Sequence, residues 1–291
     1  MVIKISELYS KVRRSLLETE DAPTAGMTAR LLLCHVTGKS KEQFLADREM
    51  YVSDDVCAAT DALVTRLKAG EPLAYILGRW EFYGLEMIVN SSVLIPRDDT
   101  CAVAELAINQ AKQLEGCPRI LDLCTGSGCI GLAVASHVPK AKVTLADISN
   151  HALVVARQNV ALNGLTKQVT CLPVDALCAP PHFLGKFDLI VSNPPYITTK
   201  EMEELPNSVA DYEPHLALHG GDDGLVFYRS IAKNFAAALN SGGYLCFEFG
   251  MGQGDDVCAI LEENQYTILE RTRDYNDRER AVIAQLGRKE E

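Results

Sequence analysis

The chain has no long hydrophobic run, although 47% of its 291 residues are hydrophobic. A helix that crosses a bilayer needs about 20 consecutive apolar residues, so we expect no membrane span. The first twenty residues are typical of a charged amphipathic helix and contain no apolar stretch of an export signal. We therefore expect a cytoplasmic protein that buries a substantial core.

Spacings typical of metal sites and disulfide frameworks are also missing. The ten cysteines include no C-x-x-C pair. A long chain with a core and no export signal usually keeps its thiols reduced. We therefore expect free, mostly buried cysteines and no metal site.

Basic residues are too few for a nucleic-acid-binding surface. The net charge is −11, from 28 Lys and Arg against 39 Asp and Glu. Residues 1–71 hold ten basic and eleven acidic residues, a net charge of −1, which leaves −10 on residues 72–291. An acidic body of this kind does not attract a phosphate backbone, so no stable binding to nucleic acid is expected.

The chain has no internal repeats, and its hydrophobic pattern divides it into parts. In the first part, periodicity and capping residues predict helices and no strands. Ten residues around Gly84 then predict a β-hairpin. The predicted helices cover residues 3–18, 25–36, a short segment opened by Ser40, and 53–69. The predicted domains are a helical domain at 1–71, a hairpin linker at 72–99 and a larger domain at 100–291.

From residue 100 onward, helices alternate with short apolar strands, which predicts an α/β fold with a parallel, doubly wound sheet. The last two strands flank a tight turn at Asn276-Asp277 and should pair antiparallel at one edge. The other predicted strands are 120–123, 143–146, 169–172, 187–192 and 244–249. The predicted helices are 100–115, 129–137, 150–163, 224–240 and 254–264.

A glycine loop, LDLCTGSGCIG, ends the first strand of this sheet and opens a helix. Gly126-x-Gly128-x-x-Gly131 fits a dinucleotide fingerprint, and Asp147 follows about 20 residues later at the end of the next strand. Asp147 can accept hydrogen bonds from both hydroxyls of a ribose, whereas Asp122 disfavours a pyrophosphate and suits a positive charge. S-adenosylmethionine has both a ribose and a sulfonium. A nicotinamide cofactor and a purely structural turn are the alternatives.

Other residues near the loop complete the predicted donor site. Cys124 stands where a glycine would ease the turn, so its β-carbon must fit beside the ligand. Asp175, after the third strand, either receives the adenine amino group or is a solvated loop acid. The predicted cofactor-binding residues are Asp122, Cys124, Thr125, Gly126, Gly128, Asp147, Ile148, Asp175, Ala176 and Asn193.

The fourth strand stops abruptly at SNPPYI, residues 192–197, because prolines cannot continue a strand that is paired on both edges. The nitrogen of a planar amide or aromatic amine is a poor nucleophile. If the Asn193 side-chain oxygen and the Pro194 carbonyl each accept one N–H, its lone pair is turned toward the donor methyl. Pro195 helps to fix that carbonyl, and Tyr196 can stack on the flat group. Positioning then replaces a general base. An ordinary proline-rich turn is the alternative.

Seven segments together resemble one family. They are PLAYILGRWEFYGL (72–85), VLIPRDDT (93–100), DLCTGSGCIGLAVA (122–135), ADIS (146–149), FDLIVSNPPYI (187–197), YEPHLALHGGDDGLVFYRSI (212–231) and RDYNDRERAVIA (273–284). The chain is similar in these segments to the HemK or PrmC type of glutamine N5-methyltransferase, which modifies peptide chain release factors. Asn-Pro-Pro-Tyr alone is shared with methyltransferases of DNA and RNA bases.

The resemblance implies a fold, a reaction and a partner. The fold is a seven-stranded class I methyltransferase domain after a small helical domain and a linking hairpin. The enzyme would use S-adenosylmethionine, release S-adenosylhomocysteine, and methylate the glutamine of the Gly-Gly-Gln loop of class I release factors, which act in translation termination. Asn193, Pro194 and Tyr196 would bind the glutamine amide, while the helical domain would dock the partner. A monomer is expected.

The chain departs from the family pattern in three places. The segment Asp98–Cys101 reads Asp-Asp-Thr-Cys where Pro-Glu-Thr-Glu is usual, Cys124 replaces a glycine, and Phe249 stands where a histidine is common. Nearby, Arg97 is expected either to contact the substrate or to pair with a neighbouring acid. Glu213, in the long segment after the Asn-Pro-Pro-Tyr motif, is a candidate substrate contact in a lid.

Two other functions stay open at this stage. One is an amino-methyltransferase that acts on a DNA or RNA base through the same Asn-Pro-Pro-Tyr site. The other is a donor-binding interaction protein without turnover.

Overall fold

The computed structural model describes residues 3–287, and this part of the chain divides into two compact units. One unit consists of the residues up to Gly78 together with Asn207–Tyr212, and the other of Arg79–Pro206 together with the residues from Glu213 onward. No helix within residues 3–287 is long and apolar enough to span a membrane. The domain limits at residues 71 and 99 stay a prediction.

The first unit is mainly helical, as its sequence pattern predicts. Residues with side-chain oxygens cap three of its helices: Asp21 accepts from Thr24 N, Ser40 from Gln43 N and Ser53 from Val56 N. Its helices are α1 (Ile5–Leu16), α2 (Ala22–Thr37), α3 (Lys41–Ala46), α4 (Asp54–Lys68) and α5 (Leu73–Leu77). The apolar faces of these helices meet in a core that includes Ile5, Leu8, Val12, Leu32, Leu33 and Phe44.

Two short strands in this unit contradict the expectation that it has none. β1 (Ile3–Lys4) pairs antiparallel with β2 (Tyr51–Val52). Helix α1 consequently begins at Ile5, two residues later than predicted. A strand of two residues is too short to show an alternating pattern, which is why periodicity could not reveal it.

A hairpin opens the second unit, as predicted. β3 (Arg79–Phe82) and β4 (Leu85–Ile88) pair antiparallel, with Phe82 opposite Leu85. The turn residues Tyr83 and Gly84 have φ angles of 51° and 77°, the left-handed values that favour a tight two-residue turn.

A seven-stranded sheet forms the centre of the second unit and confirms the predicted α/β fold. Its strand order is β10-β11-β9-β8-β5-β6-β7. All neighbours pair in parallel except β11, which is antiparallel to both β9 and β10. The strands are β5 (Arg119–Leu123), β6 (Lys142–Asp147), β7 (Val169–Pro173), β8 (Phe187–Ser192), β9 (Leu239–Glu248), β10 (Tyr266–Arg273) and β11 (Glu279–Leu286).

The helices largely follow the predicted positions. They are α6 (Cys101–Gln113), α7 (Cys129–His137), α8 (Asn150–Leu162), α9 (Thr199–Met202), α10 (Asn207–Ala210), α11 (Val226–Asn234) and α12 (Gly254–Glu263), with α10 belonging to the first unit. One prediction is wrong: the helix expected at 224–240 ends at Asn234, and β9 begins at Leu239 rather than at Tyr244. The pairing of β9 with β8 is irregular before Tyr244, and this interruption hid the start of the strand.

Strand order fixes where a ligand can bind. From β5 the chain moves outward through β6 to β7 and then returns to β8 on the other side of β5. The loops after β5 and β8 therefore diverge and leave a crevice at the carboxyl ends of these strands, the usual ligand position in open α/β sheets.

Candidate active site

A cavity of about 170 Å³ lies at this edge of the sheet. The loops after β5, β6, β7 and β8 form its walls together with the segment before α6. The predicted site residues that line it are Arg97, Cys124, Thr125, Gly126, Asp147, Ile148, Asp175, Ala176, Asn193 and Pro195. The predicted residues that do not line it are Asp122, Gly128, Pro194, Tyr196 and Glu213.

The glycine loop lies tightly against β6. A β-carbon on Gly131 would come within 2.3 Å of Leu145 Cδ2, and Gly128 has a φ angle of 87°. Both glycines therefore serve packing and turn geometry. Cys124 adopts a φ angle of 60°, which explains why glycine would ease this turn. Burial raises the pKa of the Cys124 thiol, so the side chain stays neutral beside the cavity.

Asp122 lies beneath the loop and not on the cavity surface. Its Oδ2 atom accepts hydrogen bonds from Thr125 Oγ1 at 2.5 Å and from Gly131 N at 2.8 Å. The side chain is buried, and burial raises the pKa of its carboxyl to about 7. The Oδ2 atom points into the turn, and a contact of Asp122 with a positively charged ligand stays a prediction.

Asp147 lines the cavity with a carboxylate held by backbone groups. Gly126 N donates to Oδ2 at 2.8 Å and Ser149 N donates to Oδ1 at 2.9 Å. Burial raises the pKa of this carboxyl, while the two N–H groups oppose that rise. Since each carboxylate oxygen has a second lone pair, both can still accept a ribose hydroxyl.

Ile148 and Asp175 line the cavity from the loops after β6 and β7. Asp175 Oδ1 accepts from Leu177 N at 2.8 Å, which closes a short turn after β7 and fixes the carboxylate. Ile148 is 51% exposed although it is a large apolar side chain. An exposed apolar group beside a fixed acid suits a flat heterocycle that carries an amino group.

Asn193 follows β8 and lines the cavity. Its Nδ2 atom donates to Thr100 Oγ1 at 3.4 Å, a long hydrogen bond that leaves Oδ1 free for another donor. Pro194 and Pro195 are both buried, so the backbone after Asn193 is held firmly. The Asn193 amide oxygen therefore lies at the same edge of the sheet as Asp147. Asp147 ends β6, which is two strands away from β8.

Tyr196 packs into the protein near the cavity. Its ring lies against the hydrophobic core of the second unit, and burial raises the pKa of its hydroxyl. The backbone passes so closely that a β-carbon on Gly224 would come within 2.3 Å of the Tyr196 carbonyl oxygen, and one on Gly220 within 2.6 Å of its Cα. These two glycines belong to the HGGDDG stretch, whose role could not be read from the sequence.

Arg97 and Glu213 form a pair at the cavity rim. The Glu213 carboxylate is buried, accepts a close hydrogen bond from Arg97 Nη2, and accepts another from Ile95 N at 3.2 Å. Arg97 lines the cavity, but Glu213 does not. Glu213 therefore orients Arg97 and its loop, and direct substrate contact by Glu213 stays a prediction.

Two polar residues beside Asn193 were missed by sequence reasoning. Thr100 lines the cavity, and Glu248 lies buried at the end of β9. Burial raises the pKa of Glu248 to about 7. The available signal in the sequence was an acid at the end of a buried strand.

Comparisons with known proteins identify the family and the fold. Residues 7–78 match the family model described as PrmC N-terminal domain, and residues 104–221 match the one described as methyltransferase small domain. A methyltransferase structure from Pyrococcus furiosus, with a TM-score of 0.51 and 17% identity, covers 78% of this chain and 98% of that chain, and so shares the fold.

Two curated relatives are similar over long stretches. A release factor glutamine methyltransferase from Clostridium acetobutylicum is 34% identical over 98% of this chain and 99% of its own length. One from Fusobacterium nucleatum is 42% identical over 79% of this chain and 64% of its own length. The resemblance found in the sequence is thus confirmed: the chain belongs to the family of release factor glutamine methyltransferases.

Proposed function

We propose that the crevice between the ends of β5 and β8 is the place where this chain, a protein-(glutamine-N5) methyltransferase by family, transfers a methyl group to the glutamine of the Gly-Gly-Gln loop of class I release factors. The observation that carries the proposal is that Asn193 and Asp147 line one cavity from the ends of β8 and β6, the two strands that flank β5. The end of β6 suits a ribose and the end of β8 suits an amide.

The donor side of the cavity fits S-adenosylmethionine, which when bound supplies a methyl group on a positively charged sulfur. Asp147 would accept the ribose hydroxyls with the free lone pairs of its carboxylate, and Gly126 would border the ligand closely. Asp175 and Ile148 would hold the adenine by a hydrogen bond and by apolar contact. The acid beneath the loop, Asp122, would act only by fixing the turn.

The acceptor side fits a primary amide. Asn193 Oδ1 would accept one N–H of the glutamine side chain, and the Pro194 carbonyl would accept the other, which turns the nitrogen lone pair toward the donor. Catalysis would then come mainly from positioning. Stacking of Tyr196 on the amide stays a prediction, because its ring packs on the core in this structure.

The helical unit is proposed to dock the release factor. It exposes several large apolar side chains, including Met50 at 53% and Tyr51 at 64%, which a partner protein can cover. We further propose that the enzyme acts as a monomer in the cytoplasm and binds no nucleic acid stably, in keeping with its acidic charge.

The test is mass spectrometry of an unmethylated release factor incubated with the enzyme and S-adenosylmethionine. One added methyl group on the Gly-Gly-Gln peptide is expected, and none on a substrate whose glutamine is replaced by alanine. Asn193→Ala should reduce transfer to a small residual rate while donor binding persists. Methylation of a DNA or RNA base instead, or of the alanine-substituted release factor, would refute the proposal.

A further inference from the structure

A buried carboxyl group lies behind Asn193. β8 and β9 pair in parallel with Ser192 opposite Phe247, so Asn193 and Glu248 are the next residues along the two chains. The Glu248 side chain is 2% exposed and does not line the cavity. It therefore lies next to Asn193 in the sheet, inside the protein and away from the cavity surface.

Thr100 completes this group. It is buried at the start of α6, and its Oγ1 atom accepts the hydrogen bond from Asn193 Nδ2. Burial raises the pKa of Glu248 to about 7, whereas the nearby polar side chains of Thr100 and Asn193 and the charge of Arg280 lower it. Within residues 3–287 the Glu248 Oε2 atom has no hydrogen-bond partner. The carboxyl group is thus an acceptor with capacity left for the N–H groups of Asn193.

The orientation of the Asn193 amide decides whether the site can work. An amide has an acceptor end and a donor end of nearly equal size, and a flip would present N–H groups to the N–H groups of the substrate. A carboxylate only accepts, so it holds the Nδ2 end on its own side. The Oδ1 end then faces the cavity.

We infer that Glu248, with Thr100, is a positioning residue that fixes the side-chain amide of Asn193 for methyl transfer. This inference rests on the proposed role of Asn193. Glu248 would not touch the substrate and would not act as a base, because it lies outside the cavity lining.

Pairing with Arg280 does not account for Glu248. The buried Arg280 guanidinium already lies 3.3 Å from Asp274 Oδ2 and 3.2 Å from Asp99 Oδ2. Its charge is therefore matched by two other carboxylates. Asp274, in the β10–β11 turn, thus pairs with Arg280, whereas Glu248, at the end of β9, lies next to Asn193.

Steady-state kinetics on a release factor would test the inference. Glu248→Leu removes the acceptor and should lower kcat about 10- to 100-fold, the range for losing a hydrogen bond to a charged group, without changing donor affinity. Glu248→Gln keeps an acceptor oxygen in the same place and should retain most of kcat. Asp188→Asn, a matched change at the other end of β8, should leave kcat unchanged.

A double variant separates positioning from a general structural effect. If Glu248 acts through Asn193, Glu248→Leu should cause no further loss in an Asn193→Ala background. Losses that multiply in the double variant would overturn this inference alone. A folded Glu248→Leu enzyme with wild-type kcat, beside an Asn193→Ala enzyme with only a residual rate, would do the same. Wild-type kcat in Asn193→Ala would overturn the proposed site as well. If Glu248→Leu fails to fold, Thr100→Val with Thr100→Ser as its rescue gives the same readout.

Discussion

Replacing Asp122 with asparagine should make the protein more stable, and by an amount that depends on pH. The carboxyl is buried, its Oδ2 atom accepts two hydrogen bonds, and within residues 3–287 its Oδ1 atom has no partner. Asparagine has the same shape, keeps an oxygen for Thr125 and Gly131, and cannot ionise. The change thus removes a buried charge without removing the contacts that hold the loop.

The size and sign of the effect follow from the pKa. Burial raises the pKa of Asp122 from 3.8 to about 7. Between these two pH values the carboxyl keeps its proton in the folded protein, whereas it has lost the proton in the unfolded chain. Stability from this group is present below pH 3.8 and is lost as pH rises toward 7. At 1.36 kcal/mol per pH unit, the loss is about 4 kcal/mol at pH 8, of which about 2 kcal/mol arises between pH 5.5 and 8.

Urea unfolding without donor would measure this. The free energy of unfolding of Asp122→Asn should exceed that of the wild type by about 2 kcal/mol more at pH 8 than at pH 5.5. Asp61→Asn breaks an exposed ion pair with Lys11 and, as a control, should change stability by less than about 1 kcal/mol at both pH values. Parallel pH profiles for the wild type and Asp122→Asn would refute the reasoning.

Other changes test the cavity and the docking unit. Asp147→Ala should weaken S-adenosylmethionine binding by about 1.5–3 kcal/mol, the scale of a hydrogen bond to a charged group, and unchanged affinity in calorimetry would contradict the ribose contact. Gly131→Ala should lower both the melting temperature and donor affinity, because its β-carbon would lie 2.3 Å from Leu145 Cδ2; a protein that binds donor normally would contradict this. Met50→Ser should raise the KM for a whole release factor but not for a short Gly-Gly-Gln peptide, and equal effects on both would argue against docking by the helical unit.

The sequence was informative wherever a pattern repeats locally. The alternation of helices and apolar strands identified the sheet, and the glycine loop and Asn-Pro-Pro-Tyr marked two strand ends that a parallel sheet must bring to one edge. The two-residue strands β1 and β2 carry no such pattern. The sequence did not predict the start of β9, because the pairing of this strand with β8 is irregular before Tyr244.

The direction in which a single side chain points was harder to predict from the sequence. Asp122 sits one residue before the end of β5, and its side chain points toward the first turn of α7, where Gly131 donates to it. Thr100 and Asn193 are 93 residues apart, so their hydrogen bond depends on how α6 packs at the end of the sheet. Only the assembled fold shows such pairs.

Two buried acids now have a common explanation. Burial raises the pKa of both Asp122 and Glu248 to about 7, so each carboxyl destabilises the fold at neutral pH relative to a neutral residue of the same shape. Each lies directly beneath a residue or loop that lines the cavity: Asp122 beneath the glycine loop and Glu248 behind Asn193. An apolar residue in either place could accept no hydrogen bond, whereas a carboxyl oxygen accepts from the donors beside it and so holds them in one orientation. The two carboxyl groups thus lower the free energy of unfolding at the two places where the proposed reaction requires one fixed orientation, that of the glycine loop and that of Asn193.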